Sequence, residues 1–85
     1  MTLFSVTILR RAQKELGAVS SPDFERICEA VRALANEPRP AGCLKLAGRE
    51  GWRIRVGDFR VIYQVDDATK TVCVLHVGHR RDIYR

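Results

Sequence analysis

The sequence contains no apolar run of the length that a membrane-spanning helix needs, which is about 18 residues. One of its longest runs, Val72 to Leu75, covers only four residues. Met1 is followed by neither a basic segment nor an apolar stretch of the kind found in secretory signals. We therefore expect a cytoplasmic protein with no membrane partner.

Cysteine is scarce, and the three cysteines are widely spaced at Cys28, Cys43 and Cys73. An odd number at such spacing suits neither a disulfide framework nor a Cys-X-X-Cys zinc or redox site. No cluster of carboxylates and histidines has metal-ligand spacing either, and His76 with His79 at a strand end is not such a site. The sequence therefore predicts no metal ion and no cofactor.

Linkers, internal repeats and low-complexity tracts are also missing, and glycine and proline fall singly at the ends of predicted elements. The chain has 85 residues, of which 46% are hydrophobic, enough for one core and too few for two domains. We expect residues 1–85 to form a single domain.

Acidic residues are too few to balance the basic ones, which leaves a net charge of +5. Residues 45–85 hold nine basic and five acidic side chains, whereas residues 1–44 are nearly balanced. A basic surface confined to one side is typical of proteins that bind a polyanion. Charge alone leaves a merely soluble basic surface equally open.

The first half of the sequence predicts a short strand and a helix. The strand covers Leu3 to Val6, and Thr7 can then cap a helix that stops at Gly17. The apolar stripe of this helix consists of Leu9, Ala12 and Leu16.

A second helix is predicted from Ser21, which would be the N-cap, with Pro22 at the first helical position and Asp23 as an early acid. It must end before Pro38, because proline cannot continue a helix. Its apolar face consists of Phe24, Ile27, Cys28, Val31, Leu34 and Ala35.

After Gly51 the hydrophobic period changes from helical to two, which indicates strands. The predicted strands are Trp52 to Val56, Phe59 to Val65 and Thr71 to Val77, with a short additional strand possible at Cys43 to Leu46. We predict an α+β fold in which an N-terminal strand and a two-helix hairpin pack on one face of a small antiparallel sheet, in the order β-α-α-β-β-β.

Gly57 and Asp58 predict a two-residue hairpin turn, in which glycine supplies the positive φ angle. This turn sets Arg55 opposite Arg60 and Arg53 opposite Ile62. Because side chains alternate along a strand, the three arginines then share the face away from the helices. The residues directed toward the helices are Trp52, Ile54, Val56, Phe59, Val61, Tyr63 and Val65.

Arg55 facing Arg60 is unfavourable, because like charges directly across two strands destabilise a sheet. Such local conflicts tend to mark functional sites. Asp58 or Glu50 could each neutralise one arginine and leave a solvated surface, but two acids cannot easily neutralise all of them. We expect an anion-binding face, since the guanidinium fork suits phosphate oxygens.

The C-terminal segment adds His79, Arg80, Arg81 and Tyr84. Arginines can follow a phosphodiester backbone while an aromatic ring stacks on a base. Tyr84 would be the stacking residue, although it could equally anchor the C-terminus on the sheet. Lys45, Arg49, Arg53 and Arg81 are the residues that we expect to contact RNA.

Two motifs carry a resemblance to a known family. The runs Trp52 to Tyr63 and Val77 to Tyr84 resemble the RelE branch of the RelE/ParE toxins of bacterial toxin–antitoxin systems. The similarity extends over nearly the whole chain, including the two helices and the segment Leu44 to Gly48. It implies a ribosome-dependent endoribonuclease that cleaves mRNA in the ribosomal A site and is silenced by a cognate antitoxin protein.

The resemblance also implies roles for individual residues. Arg60 would contact the scissile phosphate, Arg80 would stabilise charge there, and Tyr84 would stack on or orient the substrate. Arg53 and Arg55 fall where the best-known branch has lysines implicated in proton transfer. Arginine stays protonated to a pKa above about 12 and is a poor general base, so either these two only stabilise charge or another group is the base. His79 is the most suitable proton carrier by chemistry, with an ordinary pKa of about 6.5.

Two other functions remain open. The same fold could poison DNA gyrase without catalysis, as ParE toxins do, or it could be an inactive RNA-binding or regulatory homologue. The clustered arginines favour the nuclease, because a pure protein binder does not need cations that converge on a phosphate-sized spot.

Overall fold

The computed structural model describes residues 3–79, which form five strands and two helices. The elements are β1 (Ser5–Ile8), α1 (Arg10–Gly17), α2 (Asp23–Ala33), β2 (Leu44–Lys45), β3 (Trp52–Val56), β4 (Phe59–Asp66) and β5 (Thr71–His79). The predicted α+β class is confirmed, and so is the short strand before Gly51.

The strands form one sheet in the order β1-β5-β4-β3-β2. Strands β2 to β5 are antiparallel to their neighbours, but β1 runs parallel to β5, with Ser5 opposite Thr71 and Ile8 opposite Val74. The predicted antiparallel strands are confirmed, and the parallel edge strand β1 makes the five-stranded sheet mixed. A parallel pair needs a long crossover, and the segment between β1 and β5 supplies one.

The start of the chain differs from the prediction by two residues. The first strand is Ser5–Ile8 rather than Leu3 to Val6, and Thr7 lies inside it with its hydroxyl 3.4 Å from the carbonyl oxygen of Val72. Thr7 therefore does not cap α1; the residue before the helix is Leu9, which makes no side-chain capping bond and is 47% exposed. Pairing with β5 stabilises these residues as a strand, and this outweighs the local preference of Thr7 for a cap.

The second helix begins one residue later than predicted, at Asp23, and ends at Ala33, before Pro38. Pro22 occupies the capping position instead of the first helical one, and Ser21 provides no side-chain cap. The predicted apolar face is largely confirmed, since Ile27, Val31 and Leu34 are buried.

The core lies between the two helices and one face of the sheet. Its fully packed members are Ala12, Leu16, Ile27, Val31, Leu34, Ile54, Val61, Tyr63, Val72, Val74 and Val77. Tyr63 is completely buried, and its hydroxyl donates a 2.7 Å hydrogen bond to the carbonyl oxygen of Pro38. This bond fixes the loop after α2 against the centre of the sheet.

Within residues 3–79, none of the helices has the length and apolar character needed to cross a bilayer.

Candidate phosphate-binding site

The β3–β4 hairpin has the register that the two-residue turn predicts. Val56 pairs with Phe59, Arg55 with Arg60, and Arg53 with Ile62, while Gly57 takes a φ of +60° in the turn. Paired residues in an antiparallel sheet direct their side chains to the same face. The three arginines therefore lie on the face away from the helices, opposite the core.

These arginines line a single pocket of about 230 Å³ on that face. Its other walls are Gly42 and Leu44. Leu44 pairs with Arg53, so β2 forms one side of the pocket and the hairpin forms the rest. We call this the arginine pocket; its size and its three guanidinium groups suit a phosphate group with part of a nucleotide.

The floor beside the pocket is apolar. Ile62 lies on the arginine face by register and is only 1% exposed. It does not belong to the main core on the other face. Arg60 on the same strand is half-buried, and its Nη1 atom is shielded from solvent. Charges beside a low-dielectric surface interact more strongly with an anion than charges in water do.

Asp58 and Glu50 are the two carboxylates that the sequence offers for neutralising this face. Within residues 3–79, neither Asp58 nor Glu50 forms an ion pair with any of the three arginines. Arg55 is exposed and sits directly opposite Arg60. The alternative in which each arginine is matched to one of these two acids is therefore not supported.

The two histidines lie on opposite faces of β5. Ile62 pairs with His76 and Tyr63 with Val74, so Leu75 is an extra residue that forms a β-bulge. This bulge places His76 on the arginine face, whereas His79 pairs with Phe59 and meets its ring edge-on at 5.7 Å between centroids. The structure therefore separates His79, the predicted proton carrier, from the arginine pocket.

His76 and Glu15, whose proximity sequence reasoning missed, lie close together where β5 continues past its pairing with β1. Glu15 of α1 accepts a 3.0 Å hydrogen bond from the backbone N–H of Val77, and the same oxygen lies 3.7 Å from Nδ1 of His76. Helical spacing could place Glu15 only on the flank of α1. Neither its contact with β5 nor the bulge has a signal in the sequence.

Two of the predicted RNA-binding residues lie away from the arginine pocket. Lys45 pairs with Trp52 and lines a separate cleft of about 610 Å³ at the other end of β3, while Arg49 is exposed in the loop before β3. In this cleft the guanidinium of Arg39 lies 5.3 Å from the centre of the Trp52 ring.

The remaining predicted site residues, Arg80, Arg81 and Tyr84, lie outside the described residues. Over residues 3–79, the structure contains no group of three or more histidine, cysteine, aspartate or glutamate side chains that could hold a metal ion.

The comparisons with known proteins all match toxins of toxin–antitoxin systems. The family model described as the ParE toxin of the type II toxin–antitoxin system, parDE, matches residues 6–84. Toxin RelG of Mycobacterium tuberculosis is 52% identical, and the match covers 96% of this chain and 97% of that protein.

Solved structures show the same fold. The archaeal RelE–RelB complex from Pyrococcus horikoshii superposes with a TM-score of 0.80 at 30% identity, covering 96% of this chain and 99% of that one. The RelBE2 toxin–antitoxin complex from Mycobacterium tuberculosis superposes with a TM-score of 0.79 at 27% identity, covering 92% of this chain and 99% of that one. The isolated Escherichia coli RelE toxin superposes with a TM-score of 0.73 at 27% identity, covering 95% of this chain and 90% of that one.

Proposed function

This chain belongs to the ParE toxin family of type II toxin–antitoxin systems, and we propose, from its resemblance to the RelE branch, that it is a ribosome-dependent endoribonuclease that cleaves mRNA. The observation that carries the proposal is the arginine pocket, in which Arg53, Arg55 and Arg60 line one space of about 230 Å³. A surface that only binds protein gains nothing from cations that face each other across two strands.

The pocket residues fit phosphodiester cleavage by the neighbouring ribose. The 2′-hydroxyl attacks the adjacent phosphorus, and negative charge grows on the non-bridging oxygens, where fixed guanidinium groups stabilise it. The half-buried position of Arg60 beside Ile62 supports this role for Arg60. Arg80 and Tyr84 remain proposed contributors to the same site.

We also propose that a cognate antitoxin protein binds and silences the chain. Both RelE–RelB from Pyrococcus horikoshii and RelBE2 from Mycobacterium tuberculosis were solved as complexes of a toxin with an antitoxin. Besides the antitoxin, the proposed partners are the ribosome and the mRNA in its A site.

The test is primer extension on cellular mRNA after induction of the wild type and of Arg60→Ala. We expect cleavage sites in translated transcripts within minutes for the wild type and none for the variant, with growth inhibition lost in parallel. Arg26→Ala, an exposed arginine on α2, is the matched control and should cleave like the wild type. Full toxicity of Arg60→Ala would remove Arg60 from the mechanism.

The second candidate is a gyrase inhibitor, which the description of the matching family as ParE toxins favours. It predicts DNA damage with intact mRNA after induction. An inactive regulatory homologue predicts salt-sensitive RNA binding without cleavage in a translating extract. Either result would replace the nuclease proposal.

A further inference from the structure

We propose that His76, positioned by Glu15, is the proton carrier of the cleavage reaction. This inference rests on the proposed nuclease function and supplies the general base that the arginines cannot provide. It assigns the role to a residue on the arginine face rather than to His79, whose ring packs on Phe59.

The register places His76 on the arginine face, on the strand adjacent to the one that carries Arg60. Because Ile62 pairs with His76 and Arg60 with Gly78, His76 and Arg60 are diagonal neighbours on adjacent strands. Diagonal neighbours are about 7–8 Å apart, within reach of long side chains. His76 is 22% exposed at its side chain, so it is partly shielded and still open to a bound nucleotide.

Glu15 is fixed in a way that defines the chemistry of the imidazole. Its Oε1 atom is held by the N–H of Val77 at 3.0 Å, and its Oε2 atom lies 3.7 Å from Nε of Arg11. The carboxylate therefore faces Nδ1 of His76 from a set position. A carboxylate beside Nδ1 favours the proton on that nitrogen and leaves Nε2 to exchange a proton with substrate.

The charges around His76 oppose one another. Glu15 on α1 places a negative charge beside the imidazole, Arg60 on β4 and Arg53 on β3 carry positive charges on the same sheet face, and Arg11 lies beside Glu15.

The reaction can be written with its atoms balanced. Nε2 of neutral His76 takes the proton of the 2′-hydroxyl as the oxygen forms a bond to phosphorus. The bond from phosphorus to the 5′ oxygen breaks, and that oxygen takes a proton from water. The products are a 2′,3′-cyclic phosphate and a 5′-hydroxyl, and the imidazolium then returns its proton to solvent.

The first experiment measures single-turnover cleavage of mRNA bound in programmed ribosomes. We expect His76→Ala and the similarly sized His76→Gln to lower the rate at least about 100-fold, the usual contribution of a positioned acid or base. Added imidazole should restore part of the activity of His76→Ala. Gln64→Ala, an exposed change on the same face of β4, is the matched control and should retain the wild-type rate.

The second experiment tests Glu15 through the pH dependence of the rate. Glu15→Gln keeps an oxygen that can accept the Val77 N–H but removes the negative charge. If Glu15 acts on the imidazole through its charge, removing that charge should displace the acid limb of the rate profile. A purely structural role for Glu15 would lower the rate without moving the limb.

The outcomes separate this inference from the nuclease proposal. A wild-type protein that fails to cleave ribosome-bound mRNA overturns both. Cleavage by the wild type together with an unchanged rate in both His76 variants overturns only the assignment of His76. A large loss in His79→Ala with full activity in His76→Ala would restore the role to His79.

Discussion

Arg55 and Arg60 lie directly opposite each other across the β3–β4 hairpin, on the sheet face that the helices leave uncovered. Their guanidinium groups share the arginine pocket with Arg53. Like charges at paired positions weaken a sheet, so this arrangement opposes folding and favours the binding of an anion between the strands.

The first prediction follows from this repulsion. Arg55→Gln should raise the free energy of unfolding by about 0.2–1 kcal/mol, because it removes one of two facing charges. The same change should weaken toxicity, because the pocket loses one of the cations proposed to bind phosphate. Urea denaturation of the purified protein measures the first effect, and growth after induction measures the second.

Arg26→Gln, on the exposed surface of α2, is the control for the loss of a positive charge elsewhere. If both variants changed stability equally, the effect would reflect net charge and not the cross-strand pair.

The hairpin and its arginines were predictable, because a two-residue turn followed by strict alternation fixes both register and face. The position of the histidines was not. Alternation from Val72 and Val74 would put His79 on the arginine face, and only the bulge at Leu75 reverses this. The run Val72 to Leu75 is apolar in both phases, so its sequence does not reveal the extra residue.

The parallel pairing of β1 was hidden for a related reason. Its four residues show the same pattern in either direction, and the partner strand lies more than sixty residues away, as the Thr7 to Val72 hydrogen bond illustrates. The predicted helix cap at Thr7 was wrong because a capping residue stabilises a helix by only about 1 kcal/mol. Pairing of the whole strand with β5 contributes more than this.

The second prediction concerns the buried hydroxyl of Tyr63. Tyr63→Phe should cost about 1–3 kcal/mol of unfolding free energy, because the carbonyl oxygen of buried Pro38 loses its hydrogen-bond donor. Thermal or urea denaturation measures the loss. A variant as stable as the wild type would mean that water replaces the hydroxyl.

The same residue predicts a pH dependence. Burial raises the pKa of the Tyr63 phenol well above its ordinary value of about 10, and the neighbouring Cys43 adds to the shift. The unfolded chain therefore loses this proton at lower pH than the folded chain, so stability is retained below about pH 10 and falls as the pH rises above it. Ultraviolet titration of folded protein should show one of the two tyrosines resisting ionisation, and Tyr63→Phe should abolish that component.

The third prediction concerns the loop after α2. Arg39 donates two hydrogen bonds to Asp67, of 3.2 and 2.8 Å, and these bonds, with the charges of Arg39 and Lys70, hold the pKa of that carboxyl below its usual range. Arg39→Gln should raise the Asp67 pKa toward its ordinary value of about 3.9, as followed by carboxyl NMR signals.

The lowered pKa of Asp67 also determines how stability changes with pH. The lowered pKa gives a contribution to stability that is present above about pH 3.9 and is lost as the pH falls through the folded-state value. Both side chains are exposed, so the change should be small and should diminish in high salt. Arg32→Gln, on the exposed surface of α2, should leave the Asp67 signal unchanged.

The last prediction concerns Gly51, at the entrance to β3. Its φ is +132°, and a Cβ there would lie 2.9 Å from Cδ1 of Leu46 and 3.2 Å from the backbone oxygen of Tyr63. Gly51→Ala should cost at least about 2 kcal/mol, because backbone strain adds to a contact with the backbone of β4 that cannot give way. Gly48→Ala, at a φ of +76° with nothing within 4 Å, carries the strain alone and should cost about 1–2 kcal/mol. Equal losses in urea denaturation would mean that the Leu46 side chain and β4 move aside, and the close approach would then not be what requires glycine at this position.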